Sequence, residues 1–80
     1  MYLAKVYVTL KPTVNDPQGL TVLATLRNLG FTTAAGVRVG KYLEVHIDSP
    51  DRSLAESQVH EMCRELLSNP VIEEYRFDLE

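Results

Sequence analysis

Gly36-Val37-Arg38-Val39-Gly40-Lys41-Tyr42-Leu43-Glu44-Val45-His46-Ile47 is the stretch on which the fold turns. Ala35, Val37 and Val39 fall on one side of an extended chain over residues 33 to 39, and Leu43, Val45 and Ile47 do so over 42 to 47. Successive side chains of a strand point to opposite faces, so each run has the period expected of a strand with one buried face. Between them Gly40-Lys41 fits a two-residue turn with glycine first, as a type II′ hairpin requires. The spacing predicts an antiparallel hairpin.

Toward the N-terminus, Tyr2, Ala4, Val6, Val8 and Leu10 show the same alternation and predict a first strand, whose other face (Leu3, Lys5, Tyr7, Thr9) is only half polar. Asp16-Pro17 then offers an N-cap followed by proline at the first helical position, where a missing N–H is no loss. Val22, Leu23, Leu26 and Leu29 supply an apolar stripe at helical spacing, and Gly30 can close the helix in the left-handed conformation. Toward the C-terminus, Ser49-Pro50 repeats the cap-then-proline signal ahead of Ala55, Val59, Met62, Cys63, Leu66 and Leu67 at spacings of three and four. Asn69-Pro70 ends that helix. From Val71 a last strand sets Val71, Tyr75, Phe77 and Leu79 against Ile72, Glu74, Arg76 and Asp78, with Glu73 a polar intruder.

The predicted order is βαββαβ: an α+β, ferredoxin-like domain over residues 1–80, with two helices on one face of an antiparallel four-stranded sheet. In such a sheet the first strand lies between the third and the fourth. The loop Lys11 to Gly19, the turn Gly40-Lys41 and the loop Ser68-Asn69-Pro70 therefore converge at one end.

Composition narrows the function. An 80-residue chain buries only about 60–65% of its unfolded surface and gains stability by associating, so a dimer or tetramer is expected. No apolar run approaches the roughly 20 residues of a membrane span, and the opening residues read as a strand without a signal-peptide pattern. We expect a cytoplasmic protein with no membrane partner. Cys63, the single cysteine, lies on an apolar helix face and reads as a buried thiol. Residues 1 to 43 carry five Lys/Arg and one acid, whereas 44 to 80 carry three Arg and ten acids. The basic residues never adjoin, and nucleic-acid binding needs a dense positive surface, so no nucleic-acid partner is expected.

No residue is assigned to catalysis, cofactor or metal. Gly30, Gly36 and Gly40 lack the clustering of a phosphate or dinucleotide loop, and His46 and His60 lack metal-ligand spacing. Glu73-Glu74 points to opposite faces of a strand and makes no acid–base pair. Tyr7, Tyr42, Tyr75 and Phe77 read as structural or interface aromatics, because the strand from Lys41 to Ile47 carries an acid where RNA phosphate would approach. The residues alone leave a small domain without chemistry of its own that gains by associating, and a ferredoxin-like regulatory module binding a small ligand is one reading of it.

Four segments carry a resemblance. Val8-Thr9-Leu10-Lys11, Asp16-Pro17-Gln18-Gly19, Val37 to Glu44 and Leu66 to Glu73 are similar, in order and spacing, to the PurS family of phosphoribosylformylglycinamidine synthase subunits. Leu20, where the family often has a charge, and the plain linker Thr32 to Ala35 depart from it. The resemblance implies membership of a complex that uses glutamine as amide donor and ATP with magnesium to convert formylglycinamide ribonucleotide to formylglycinamidine ribonucleotide. A glutaminase subunit releases ammonia and a large synthetase subunit binds ATP. The small subunit is implied to join the two, to support ammonia transfer, to bind no cofactor and to be inactive alone. Because the similar segments fall in the converging loops, Lys11, Asp16, Gln18, Gly19, Arg38, Gly40, Lys41 and Asn69 are the candidate subunit interface. The competing reading makes the same Asp, Gly and Asn residues ordinary caps and turns.

Overall fold

The computed structural model describes all residues from Met1 to Glu80. Its elements are β1 (Tyr2–Leu10), α1 (Pro17–Asn28), β2 (Gly40–Ile47), α2 (Arg52–Met62), which runs into a π-helical turn (Cys63–Leu67), and β3 (Glu73–Leu79). The sheet is three-stranded and antiparallel, in the order β2-β1-β3. Tyr2 pairs with Ile47 and Thr9 with Gly40 on one side of β1, and Ala4 with Leu79 and Leu10 with Glu73 on the other.

The alternation read from β1 holds. Ala4, Val6 and Val8 are fully buried and meet Ala55, Val59 and Cys63 of the helical segment above them, with Ile47 and Leu79 closing the core. Apolar burial of this kind contributes about 25 cal/mol per Å² removed from water. The odd residues of β1 face away, where Arg76 stacks over Tyr7 at 4.0 Å and Lys5 pairs with Glu80 at 2.7 Å.

Three expectations are corrected. The four-stranded sheet is absent: residues 34–39 form no strand, and Gly40-Lys41 is no hairpin turn but the start of β2. Ala34-Ala35-Gly36 has little β propensity, and the backbone beyond it is claimed elsewhere: Val39 N donates to Asp16 Oδ2 and the Arg38 side chain reaches three carbonyls after β1. The segment becomes a strap across the end of the sheet, and the outer edge of β2 stays open. Nor do two helices cover one face. Only α2 does so; α1 buries Gly19 alone and contributes nothing to the core. Lastly, two element starts shift: α2 is capped by Asp51, not Ser49, whose hydroxyl instead bonds the Asp51 carbonyl, and the last strand begins at Glu73, not Val71, which lies exposed in the turn before it.

The consequence for shape is large. A chain of this length packed as one ball has a radius of gyration near 12 Å, whereas this one has 16.1 Å and extents of 51 × 24 × 14 Å. The helix α1 is an arm projecting from a thin sheet-and-helix body.

Candidate functional site

The end of the sheet where β1 finishes and β2 and β3 begin gathers the candidate residues, and each is held by its own local chemistry. Asp16 is the N-cap of α1 and only 6% exposed. Its Oδ1 accepts from Gly19 N at 2.9 Å and its Oδ2 from Val39 N at 2.8 Å. These two hydrogen bonds, Val39 first, hold its carboxyl below the ordinary carboxylate range against an opposing cost of burial. Gly19 is buried against the Val37 carbonyl, which leaves no room for a Cβ. Gln18 beside it is exposed.

Arg38 donates to Val14 O, Leu10 O and Lys11 O at 3.3, 3.1 and 2.9 Å. Its guanidinium presents several donors in a fixed fork, which suits a cluster of carbonyls that no strand satisfies. Gly40 lies opposite Thr9, and a Cβ there would meet Val8 O at 2.4 Å, so glycine is needed for close approach of two backbones. Lys41 Nζ donates to Leu67 O at 3.4 Å and stands 3.7 Å from the Glu73 carboxylate. Lys11 joins the third loop through its backbone, Lys11 N to Ile72 O at 2.8 Å. Asn69 turns that loop, accepting from Val71 N through Oδ1 at 3.1 Å and donating its own N–H to Glu73 Oε1 at 2.7 Å.

All eight residues therefore come together, although the hairpin expected to bring Gly40 and Lys41 there does not exist. Antiparallel pairing of β1 with both neighbours suffices. Glu73, read from sequence as an intruder, is a hub between Asn69 and Lys41. Its signal was visible as a single acid breaking an apolar alternation. The π-helical turn had no sequence signal. It leaves Leu66 82% exposed on a helix where the spacing placed it in the core.

Cys63 and His60, on the helical layer, have plain structural roles. Burial pushes the Cys63 thiol up, which disfavours the nucleophilic thiolate. His60 Nδ1 is 2.9 Å from Tyr75 OH, and its ring meets Phe77 edge-on at 4.8 Å. No group of three or more His, Cys, Asp and Glu side chains is placed to hold a metal ion, and no helix is long and apolar enough to cross a membrane.

A family model for PurS, described as phosphoribosylformylglycinamidine (FGAM) synthase, matches residues 3–80. The chain belongs to the PurS family. It is 48% identical to the phosphoribosylformylglycinamidine synthase subunit PurS of Bacillus subtilis over 80 residues, which cover 100% of this chain and 94% of the relative. A solved B. subtilis PurS structure superposes with a TM-score of 0.91, covering 100% of this chain and 99% of that one. The structure of PurLQS from Thermotoga maritima matches at 28% identity and TM-score 0.89, again over 100% and 99% of the two chains. Of the two readings left open by the sequence, PurS membership decides for the subunit of a purine-biosynthetic synthase. The three-stranded sheet and projecting arm are thus the frame on which this PurS chain carries its candidate residues.

Proposed function

We propose that this chain is the non-catalytic bridging subunit of its synthase, working in the cytoplasm and joining a glutaminase to an ATP- and magnesium-dependent synthetase through the end built from Lys11, Asp16, Gln18, Gly19, Arg38, Gly40, Lys41 and Asn69. The observation that carries this reading is the full-length likeness to a chain solved within a PurLQS assembly. Lys11 and Lys41 are the basic side chains this end offers to an acidic partner surface, while Asp16 and Glu73 at the same end are engaged within the chain, Asp16 by Gly19 N and Val39 N and Glu73 by Asn69 N and Lys41.

Self-association belongs to the same proposal. A monomer of 9.0 kDa exposes about 4,900 Å² when ordinarily packed, and this one exposes 5605 Å². The excess, roughly 700 Å², approaches the ~800 Å² that each partner contributes to a standard interface. The arm is the source: Leu20, Val22, Leu29 and Phe31 of α1 and its exit are exposed. A second copy offers a match, an apolar groove between α2 and β2 (Val45, Met62, Leu66, Leu67) rimmed by Glu61 and Glu65, facing an arm whose one charge is Arg27.

The test is Lys11→Glu with Lys41→Glu. Arg38 is left alone because its three carbonyl bonds make it structural. Lys41 is half-exposed but pairs with a Glu73 side chain only 17% exposed, so its reversal sets two carboxylates together at a cost of about 1 kcal/mol; the double variant is expected to stay folded, melting a few degrees lower, yet lose assembly with the large subunits and glutamine-dependent synthesis. Ammonia-dependent synthesis is expected to suffer less. Unchanged assembly affinity and salt dependence would refute docking at this end, and turnover by the isolated chain would refute the non-catalytic role.

A further inference from the structure

We propose that Asp16 and the strap of residues 37–39 form a clasp that fixes the direction in which α1 leaves the sheet, presenting the helix to its partner as a preset arm. Presentation to a partner rests on the self-association reading above; the fixing of direction does not.

The geometry is a three-point attachment confined to the first turn of α1. One carboxylate oxygen of Asp16 serves the helix through Gly19 N and the other serves the strap through Val39 N. Val37 O lies so close to the Cα of Gly19 that no Cβ fits between strap and helix. The strap is itself tied to the end of β1 by Arg38 through Leu10 O, Lys11 O and Val14 O. Beyond this root the helix is unsupported. Its far end is closed on itself, with Phe31 N bonded to Leu26 O, Gly30 N to Arg27 O and Arg27 Nε to Ala34 O. Twelve residues make a lever about 18 Å long. A 10° change at the root moves its tip by roughly 3 Å, more than close-packed apolar surfaces accommodate.

A simpler role, capping alone, makes a different forecast. Asn caps helices about as well as Asp, but Gly19 N and Val39 N address different oxygens of the carboxylate, and the NH2 that replaces one of them is a donor that cannot accept from the N–H it faces. Asp16→Asn therefore keeps the cap and opens the clasp. Spin labels on exposed thiols introduced by Ala24→Cys in α1 and Ser57→Cys in α2, diluted into unlabelled protein, would report the arm's direction. Circular dichroism reports its helicity and sedimentation its association. The clasp requires a narrow distance distribution in the parent, a broadened one in Asp16→Asn at equal helicity, and association at least tenfold weaker. An equally narrow distribution, or broadening that appears only with lost helicity, overturns the clasp. Broadening with unchanged association overturns presentation. A parent that stays monomeric at every concentration defeats the self-association reading instead, and the distances still decide the clasp.

Discussion

Replacing Val22 and Leu29 together by Asp separates what α1 does for its own protomer from what it does for a partner. Both lie on the apolar stripe of the arm and neither belongs to the core; they are 39% and 69% exposed. Within the protomer the change costs helix propensity, a few tenths of a kcal/mol at each position, and the part of each side chain its own chain already covers, up to about 2 kcal/mol for the two. Full burial of such a side chain contributes about 2 kcal/mol. The part still exposed therefore offers about 0.8 kcal/mol at Val22 and about 1.4 kcal/mol at Leu29, together about 2 kcal/mol or a roughly 30-fold change in dissociation constant. Two carboxylates entering an apolar groove add a desolvation penalty to that figure. Sedimentation across a concentration series is expected to shift the variant toward the 9.0 kDa species while the chain stays folded, its stability lower by no more than that covered part. If the association constant does not move, the arm is not the contact surface. If stability falls by several kcal/mol in step with association, α1 packs on its own body and the projecting-arm description is wrong.

Val59→Ala, in the fully buried layer against β1, is expected to cost about 2 kcal/mol, read as a lower urea midpoint at unchanged slope. Gly40→Ala should destabilise by at least about 1 kcal/mol, because its Cβ would sit 2.4 Å from Val8 O; amide exchange of β2 is the measurement, and unchanged protection would contradict the register. Acid should weaken the fold partly through Asp16. Its folded value lies below its ordinary 3.8, so the contribution is whole above about pH 4 and is lost as pH falls through the folded value. Urea midpoints from pH 6 to pH 2 are expected to fall less steeply for Asp16→Asn than for the parent.

Local signals in the sequence were reliable where local chemistry decides. Asp16-Pro17 capped α1 where expected, and Gly30 took positive φ at 98° to close it. Ala4, Val6 and Val8 of β1 found the core because nothing competes with a sustained alternation under a helix. Misreadings arose where one segment had two possible partners. Ala35, Val37 and Val39 carry a strand pattern, but a strand needs a neighbour's backbone. Here Arg38 and Asp16 bond the same segment into a strap. The stripe of α1 is equally genuine; periodicity says that a face is apolar without saying whose surface covers it. The convergence of the candidate residues was legible through loop placement, and Glu73 through its place as a lone acid in an apolar alternation, whereas the partners of Glu73 and the π-helical turn depend on contacts between residues that no spacing rule connects.

Bare outer edges on both β2 and β3 make supply matter as well as fold. An edge strand with free N–H and C=O groups can pair with any extended chain it meets, so copies synthesised beyond what the assembly absorbs would be the most aggregation-prone part of the pool. Cells overexpressing this chain without its larger partners should accumulate it in the insoluble fraction, and balanced co-expression should return it to solution.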